Sequence, residues 1–145
     1  MTLNTATYYK LTFRDRCLLV AGCVCVIAGF IIGSTVDPDP RGFGTHQQFG
    51  LPPCRFREVL GISCPSCGGT TSVAHFVRAQ WVESAKANTA VFSLALIGLL
   101  SIPWFLFSLW KGYLLGIEYP SKLFVTLTLS LTGIAVLQWV WRLYF

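Results

Sequence analysis

Acidic and imidazole side chains are scarce in this chain: six Asp and Glu and two His among 145 residues. So small a supply, at these positions, assembles no Ser-His-Asp set, no carboxylate pair and no nucleotide site. Charged residues of all kinds make up only 12%, and none falls inside the three longest apolar runs. Those runs therefore lack the intramembrane acids and bases on which transport and proton relays usually depend. Also missing are an internal repeat, a low-complexity tract and a phosphate-cradling glycine loop. The formal net charge of +5 comes from basic residues spread along the chain rather than gathered in a block. That argues against nucleic acid as a partner and suits contact with membrane lipid headgroups.

What is abundant is apolar surface, at 54% hydrophobic and 14% aromatic residues. Segments 17–36, 87–110 and 123–141 each run without a charge. A bilayer crossing needs about 20 apolar residues at 1.5 Å rise. The expected fold is therefore all-α and integral to the membrane, one domain over 1–145, with spans at about 17–36, 90–110 and 123–142. Lys10, Arg14 and Arg16 precede the first run as they would in a secretory signal, yet no small-x-small cleavage pattern follows it, so an uncleaved anchor is expected. Gly29 and Gly33 share a helix face and permit close helix contact. Pro103 is placed to kink the second span, and Gln138 is read as helix-to-helix glue together with Thr126, Thr128, Ser130 and Thr132.

Between the first two spans, segment 37–88 is expected to hold a cysteine loop and a short interfacial amphipathic helix. Residues 37–53 are dense in Pro and Gly and read as loop. Residues 54–63 read as a short amphipathic turn. The 70–88 stretch reads as a helix capped by Thr70, Thr71 or Ser72, with Val73, Phe76, Val77 and Trp81 on its apolar side. It is expected to lie in the interface or dip shallowly into the membrane, with a break near Ala79-Gln80. Three spans put the N-terminal flank and the 111–122 turn on one side, and the 37–86 loop with the C-terminus on the other. Basic residues divide five against six between the sides, but Lys10, Arg14, Arg16, Lys111 and Lys122 sit in short flanks, where the positive-inside rule has force. An N-terminus inside and a cysteine loop outside are expected, a placement that permits disulfides.

Six cysteines fall into two groups. Cys17, Cys23 and Cys25 lie in the first span and read as small apolar filler. Cys54, Cys64 and Cys67 lie in the loop, and "CPSCGG" admits three readings. It has the form of a zinc knuckle, with Cys64 and Cys67 as ligands, Cys54 as a third and His46 or His75 as a fourth. It also reads as a redox pair, Cys64 with Cys67, able to exchange with Cys54. The third reading is a structural disulfide from Cys54 to Cys64 or to Cys67. A structural knuckle or clamp ranks ahead of the redox pair, because membrane thiol oxidoreductases usually have four spans and a second cysteine pair.

The stretch "PPCRFREVLGISCPSCGGTTSVAHFVRAQWVESAKANTA" resembles a family of small bacterial membrane proteins known as a domain of unknown function, number 2752. The resemblance covers about residues 52–91 and rests on Cys54, Gly61, Cys64, Pro65, Cys67, Gly68 and Thr70, with an Asn before the next span. The family usually has Arg where this chain has Thr71 and Pro where it has Thr89, so any role of that arginine does not carry over. The resemblance implies a bacterial origin and a membrane location, hence a multi-pass protein of the cytoplasmic membrane; it brings no activity with it.

The expected function is that of a non-catalytic structural or accessory subunit of a larger membrane complex, with the cysteine loop fixed by zinc or a disulfide. Its partners would be lipids and other membrane subunits or further copies of itself. The alternative is a thiol-disulfide oxidoreductase working through Cys64 and Cys67, and a lesser one is a transporter or lipid-handling protein.

Overall fold

The computed structural model describes residues 9–144. Three of its helices are long and apolar enough to cross a membrane: α1 (Phe13–Ser34), α5 (Thr89–Lys111) and α6 (Pro120–Tyr144). The protein is a small multi-span membrane protein with a cysteine-containing region between its first two long helices. That region holds a 3-10 turn (Thr45–Phe49) and the short helices α2 (Arg55–Leu60), α3 (Gly69–Phe76) and α4 (Trp81–Ala87).

The long helices start where a cap starts them, so they overrun the charge-free runs. Thr12 and Asp15 form a reciprocal capping box: the Asp15 carboxylate accepts from the Thr12 amide at 2.8 Å and the Thr12 hydroxyl accepts from the Asp15 amide at 3.4 Å. Helix α1 therefore begins before residue 17 and carries Arg14, Asp15 and Arg16 in its first turn. Asn88 caps α5, its side-chain oxygen accepting from the Val91 amide at 3.0 Å. Gly112, left-handed at φ 80°, ends α5 by donating its amide to the Ser108 carbonyl. Pro120 occupies the first position of α6, where a missing amide costs nothing.

Helix α5 is central, touching α1, α3, α4 and α6. Gly22 faces Phe105 across the α1–α5 contact, and Gly98 faces Val26. At the other end of the pair, α3 enters between α1 and α5. There Phe76 stacks on Phe30 at 5.6 Å and meets Phe92 edge-on at 5.9 Å. Helix α6 runs along α5, reaches the end of α4 through Arg142, and has no buried residue. The two ends of the bundle are distinct. One carries the short antiparallel pair β1 (Tyr9–Lys10) and β2 (Tyr113–Leu114), Tyr9 opposite Leu114. The other carries the cysteine region.

The 70–88 stretch is two helices, and what it buries differs from the periodicity reading. Ala79 adopts φ 58°, and the Arg78 and Gln80 amides both bond the His75 carbonyl, which turns the chain where the break was expected. Helix α3 begins at Gly69 behind a left-handed Gly68 instead of a hydroxyl cap. Its buried face is Thr71, Ser72, Ala74 and Phe76, whereas Trp81 stays 57% exposed. Hydroxyls can go inside because each finds a partner. Thr71 bonds Thr45 at 2.8 Å, Ser72 reaches Ser84 at 3.0 Å, and Ser84 donates to the Ser72 carbonyl at 2.7 Å. Of the Gly29–Gly33 pair, only Gly33 makes a close approach, to Val73 of α3 and not to another long helix.

Candidate cysteine site

The chain reaches the site through 51–53, turns into α2 at Cys54, and reverses at Gly61, which is left-handed at φ 70°. It then closes a tight turn across Cys64-Pro65-Ser66-Cys67, where the Cys67 amide donates to the Cys64 carbonyl at 3.0 Å. Gly68 follows at φ 81°. A Cβ there would stand 2.5 Å from the Ala87 carbonyl oxygen and 2.6 Å from that of Gly42, so no other residue fits without displacing backbone.

Three side chains, Asn88, Arg142 and Trp139, fasten this turn to the long helices, and Arg78 makes a further tie at the end of α1. Asn88 is buried and donates to the carbonyls of Pro65 at 3.3 Å and Cys67 at 3.2 Å while capping α5 with its oxygen. Arg142, on α6, donates to the carbonyls of Cys67 at 3.1 Å, Lys86 at 3.0 Å and Ala87. Trp139 donates its indole N–H to the Ser63 carbonyl at 2.6 Å. Arg78 closes the end of α1 by donating to the Gly33 and Ser34 carbonyls and to Asp37. Carbonyls left open at helix ends are thus met by cations, as the helix dipole favours. Gln138 adds one more tie, accepting from the Thr89 amide at 2.8 Å, which makes it the helix-to-helix glue expected of it.

No disulfide joins any of the six cysteines in this structure. In α1, Cys23 is buried while Cys17 and Cys25 are exposed. In the loop, Cys67 is buried and Cys54 and Cys64 are half-buried. The loop cysteines line a cleft of about 650 Å³ together with His46, Arg41 and Arg57. The surroundings of Cys54 and Cys64 oppose each other. The Arg57 backbone amide, then the Cys64 S–H, the Phe56 amide and the Arg57 charge hold the Cys54 thiol below its ordinary range. Burial first, then the neighbouring Cys54, pushes the Cys64 thiol up. Arg57 stands 3.7 Å from the centre of the Phe43 ring and Arg41 5.2 Å from it, so the cleft wall carries two guanidinium groups about one aromatic face.

His46 shares the cleft with the cysteines, and its Nε2 lies 3.2 Å from the Pro52 carbonyl. His75 does not line it: its Nδ1 meets Gln80 at 2.6 Å and it faces a second cleft, of about 680 Å³, beside Glu83 and Arg142. Among the described residues, no three His, Cys, Asp or Glu side chains converge closely enough to hold one metal ion as they stand. Sequence reasoning missed Arg142 and Trp139 as parts of this site. Arg142 counted only as a charge at a span end, and nothing in the local sequence ties residue 142 to residue 67. Asn88 was visible, with Thr89, as a polar residue where the second span begins, but its two bonds back to the cysteine turn were not.

Residues 54–102 match the family described as "Protein of unknown function (DUF2752)". The matched segment holds the three loop cysteines, Asn88 and the first part of α5, and it confirms the resemblance carried by the cysteine motif. Arg142, Trp139 and His46 lie outside it. No curated protein and no solved structure matches the chain.

Proposed function

We propose that this multi-span protein is a non-catalytic accessory subunit of a larger membrane assembly, with segment 37–88 as a rigid cap at one end of its helices. The observation that carries this reading is the fastening of the cysteine turn. Side chains from α6 and from the start of α5 are spent on its backbone carbonyls, which holds a shape and leaves little freedom for an opening and closing site. A zinc ion held by Cys54, Cys64, Cys67 and His46, or a disulfide among the cysteines, would complete the fastening. The cleft position of His46 favours it over His75 as the histidine of such a set. A thiol-disulfide oxidoreductase working through Cys64 and Cys67 gains less support, because Cys67 is buried and its carbonyl is doubly held. The compartment we propose is a bacterial cytoplasmic membrane, with the N-terminal flank inside and the cap outside.

Native mass spectrometry of the chain released from its own membrane vesicles tests the reading. A subunit flies with additional protein mass in fixed stoichiometry, either other membrane proteins or further copies of the 16.1 kDa chain. A lone chain, free of protein partners in vesicles that preserve a known complex as control, would overturn it. The same spectra read zinc directly, as one ion per chain or none.

A further inference from the structure

Where α4, the start of α5 and the end of α6 meet, they leave a shallow groove of about 630 Å³. Thr89 is the first residue of α5 and Arg142 stands in the last turn of α6, so a bilayer crossed by these two helices has its headgroup region at this level. Trp81 and Trp141 stand on the groove walls and are exposed, the placement an indole takes at a membrane–water boundary. Val82 and Phe92 continue the lining as apolar surface. Lys86 and Arg142 bring positive charge to it, and no acid lines it.

Two polar side chains of α6 are left with unmet demands there. Gln138 spends its side-chain oxygen on the Thr89 amide at 2.8 Å, which assigns the other terminal atom as the NH2 group. Among the described residues that NH2 has no acceptor, and at membrane depth an unpaired donor costs free energy. Arg142 donates to three backbone carbonyls but, among the described residues, enters no ion pair, so its charge is uncompensated. Lys86 does pair, with Glu83 at 2.9 Å; the two side chains are 68% and 53% exposed, and such a surface pair yields to another anion at little cost. Gln138 precedes Arg142 by one turn on the same face of α6, about 6 Å along the axis.

We propose that this groove binds one anionic glycerophospholipid. Its phosphate lies against Arg142 and Lys86, an ester carbonyl accepts from Gln138 Nε2, and an acyl chain runs past Phe92. The order of the groups matches the order of the side chains: in such a lipid the ester carbonyls lie on the chain side of the phosphate, as Gln138 lies on the membrane side of Arg142. A zwitterionic lipid meets the same apolar walls but brings an ammonium that the two cations repel, so charge selects the anionic headgroup. The site goes beyond the accessory reading and does not depend on it, because a lone chain in a bilayer holds a lipid as well as an assembled one.

The test is photocrosslinking of the full-length protein in phosphatidylcholine nanodiscs. These carry a trace of phosphatidylglycerol with a diazirine in its acyl chain or, in parallel, the same probe with a phosphatidylcholine headgroup, and the products are mapped by peptide. The phosphatidylglycerol probe is expected to label segments 81–92 and 138–142 in excess over the phosphatidylcholine probe, with no such excess on α1. Lys86→Gln should cut that excess about fivefold, the worth of one cation at the membrane surface. Excess inorganic phosphate should leave it unchanged, because a free headgroup anion lacks the chain. Equal labelling by the two probes overturns the proposal and makes the groove ordinary lipid-facing surface. An excess located elsewhere overturns it too, as does an excess lost to inorganic phosphate, which would mark a site for free anions. A groove that neither probe labels is covered by protein, a second copy or another chain, and also overturns it. The wild-type comparison decides even if the variant fails to fold, and a chain found to have no protein partner leaves each of these outcomes as it stands.

Discussion

Cys54 and Cys64 show how a single residue's chemistry is set by what stands around its sulfur. The Arg57 amide and charge and the Cys64 S–H favour a thiolate on Cys54, whereas burial disfavours one on Cys64. Alkylation reads this directly, because only the thiolate reacts. With iodoacetamide, the rate at Cys54 should rise with pH at a midpoint below that of an ordinary thiol, and the rate at Cys64 at a midpoint above it. Arg57→Gln should move the Cys54 midpoint upward. Equal midpoints for the two cysteines would remove the asymmetry. The residue types were legible in the sequence, which offered Cys54, Cys64, Cys67 and His46 or His75 as a metal set, Cys64 and Cys67 as a redox pair, or Cys54 in a disulfide to Cys64 or Cys67. Their division was not, because it depends on the reversal at Gly61 and on how deep each sulfur sits.

At the scale of elements, the informative feature is the Gly68 junction between the cysteine turn and α3. Gly68→Ala should destabilise the protein by about 2–4 kcal/mol, since it adds a left-handed penalty of about 1–2 kcal/mol to a clash with two backbone carbonyls. Gly61 shares the left-handed conformation but faces open space, so Gly61→Ala should cost only about 1 kcal/mol. Thermal or denaturant unfolding in detergent measures both, and equal losses would mean that the contact with Ala87 and Gly42 has no weight. Helix α3 also shows where pattern reading stops. An apolar stripe through Val73, Phe76, Val77 and Trp81 suits a helix facing lipid. The actual neighbours of α3 are other protein elements, and paired hydroxyls pack there as well as apolar groups do.

For the whole molecule, the two ends of the helix bundle define two sides. Tyr9–Lys10 pairs with Tyr113–Leu114 at one end, while Arg142 reaches the cysteine turn at the other. This agrees with the order expected of three crossings. The proposed orientation predicts that an impermeant maleimide added to intact cells labels Cys54 in the wild-type protein. It should spare a cysteine introduced as Ser121→Cys until the cells are opened. The reverse pattern would place the cap inside, in a compartment that keeps its thiols reduced.

The sequence by itself determined the membrane class, the three long helices and the cysteine motif, because each is written in contiguous residues: apolar runs of sufficient length and a Pro-Gly-stiffened turn. Only the tertiary structure decided that α3 starts behind Gly68 and buries hydroxyls, that Arg142 and Trp139 hold a turn some 75 positions away, and that Cys67 is buried while Cys54 and Cys64 are half-buried. Those outcomes come from which backbone carbonyls remain open when the elements meet and from which side chains can reach them, and no local spacing encodes that.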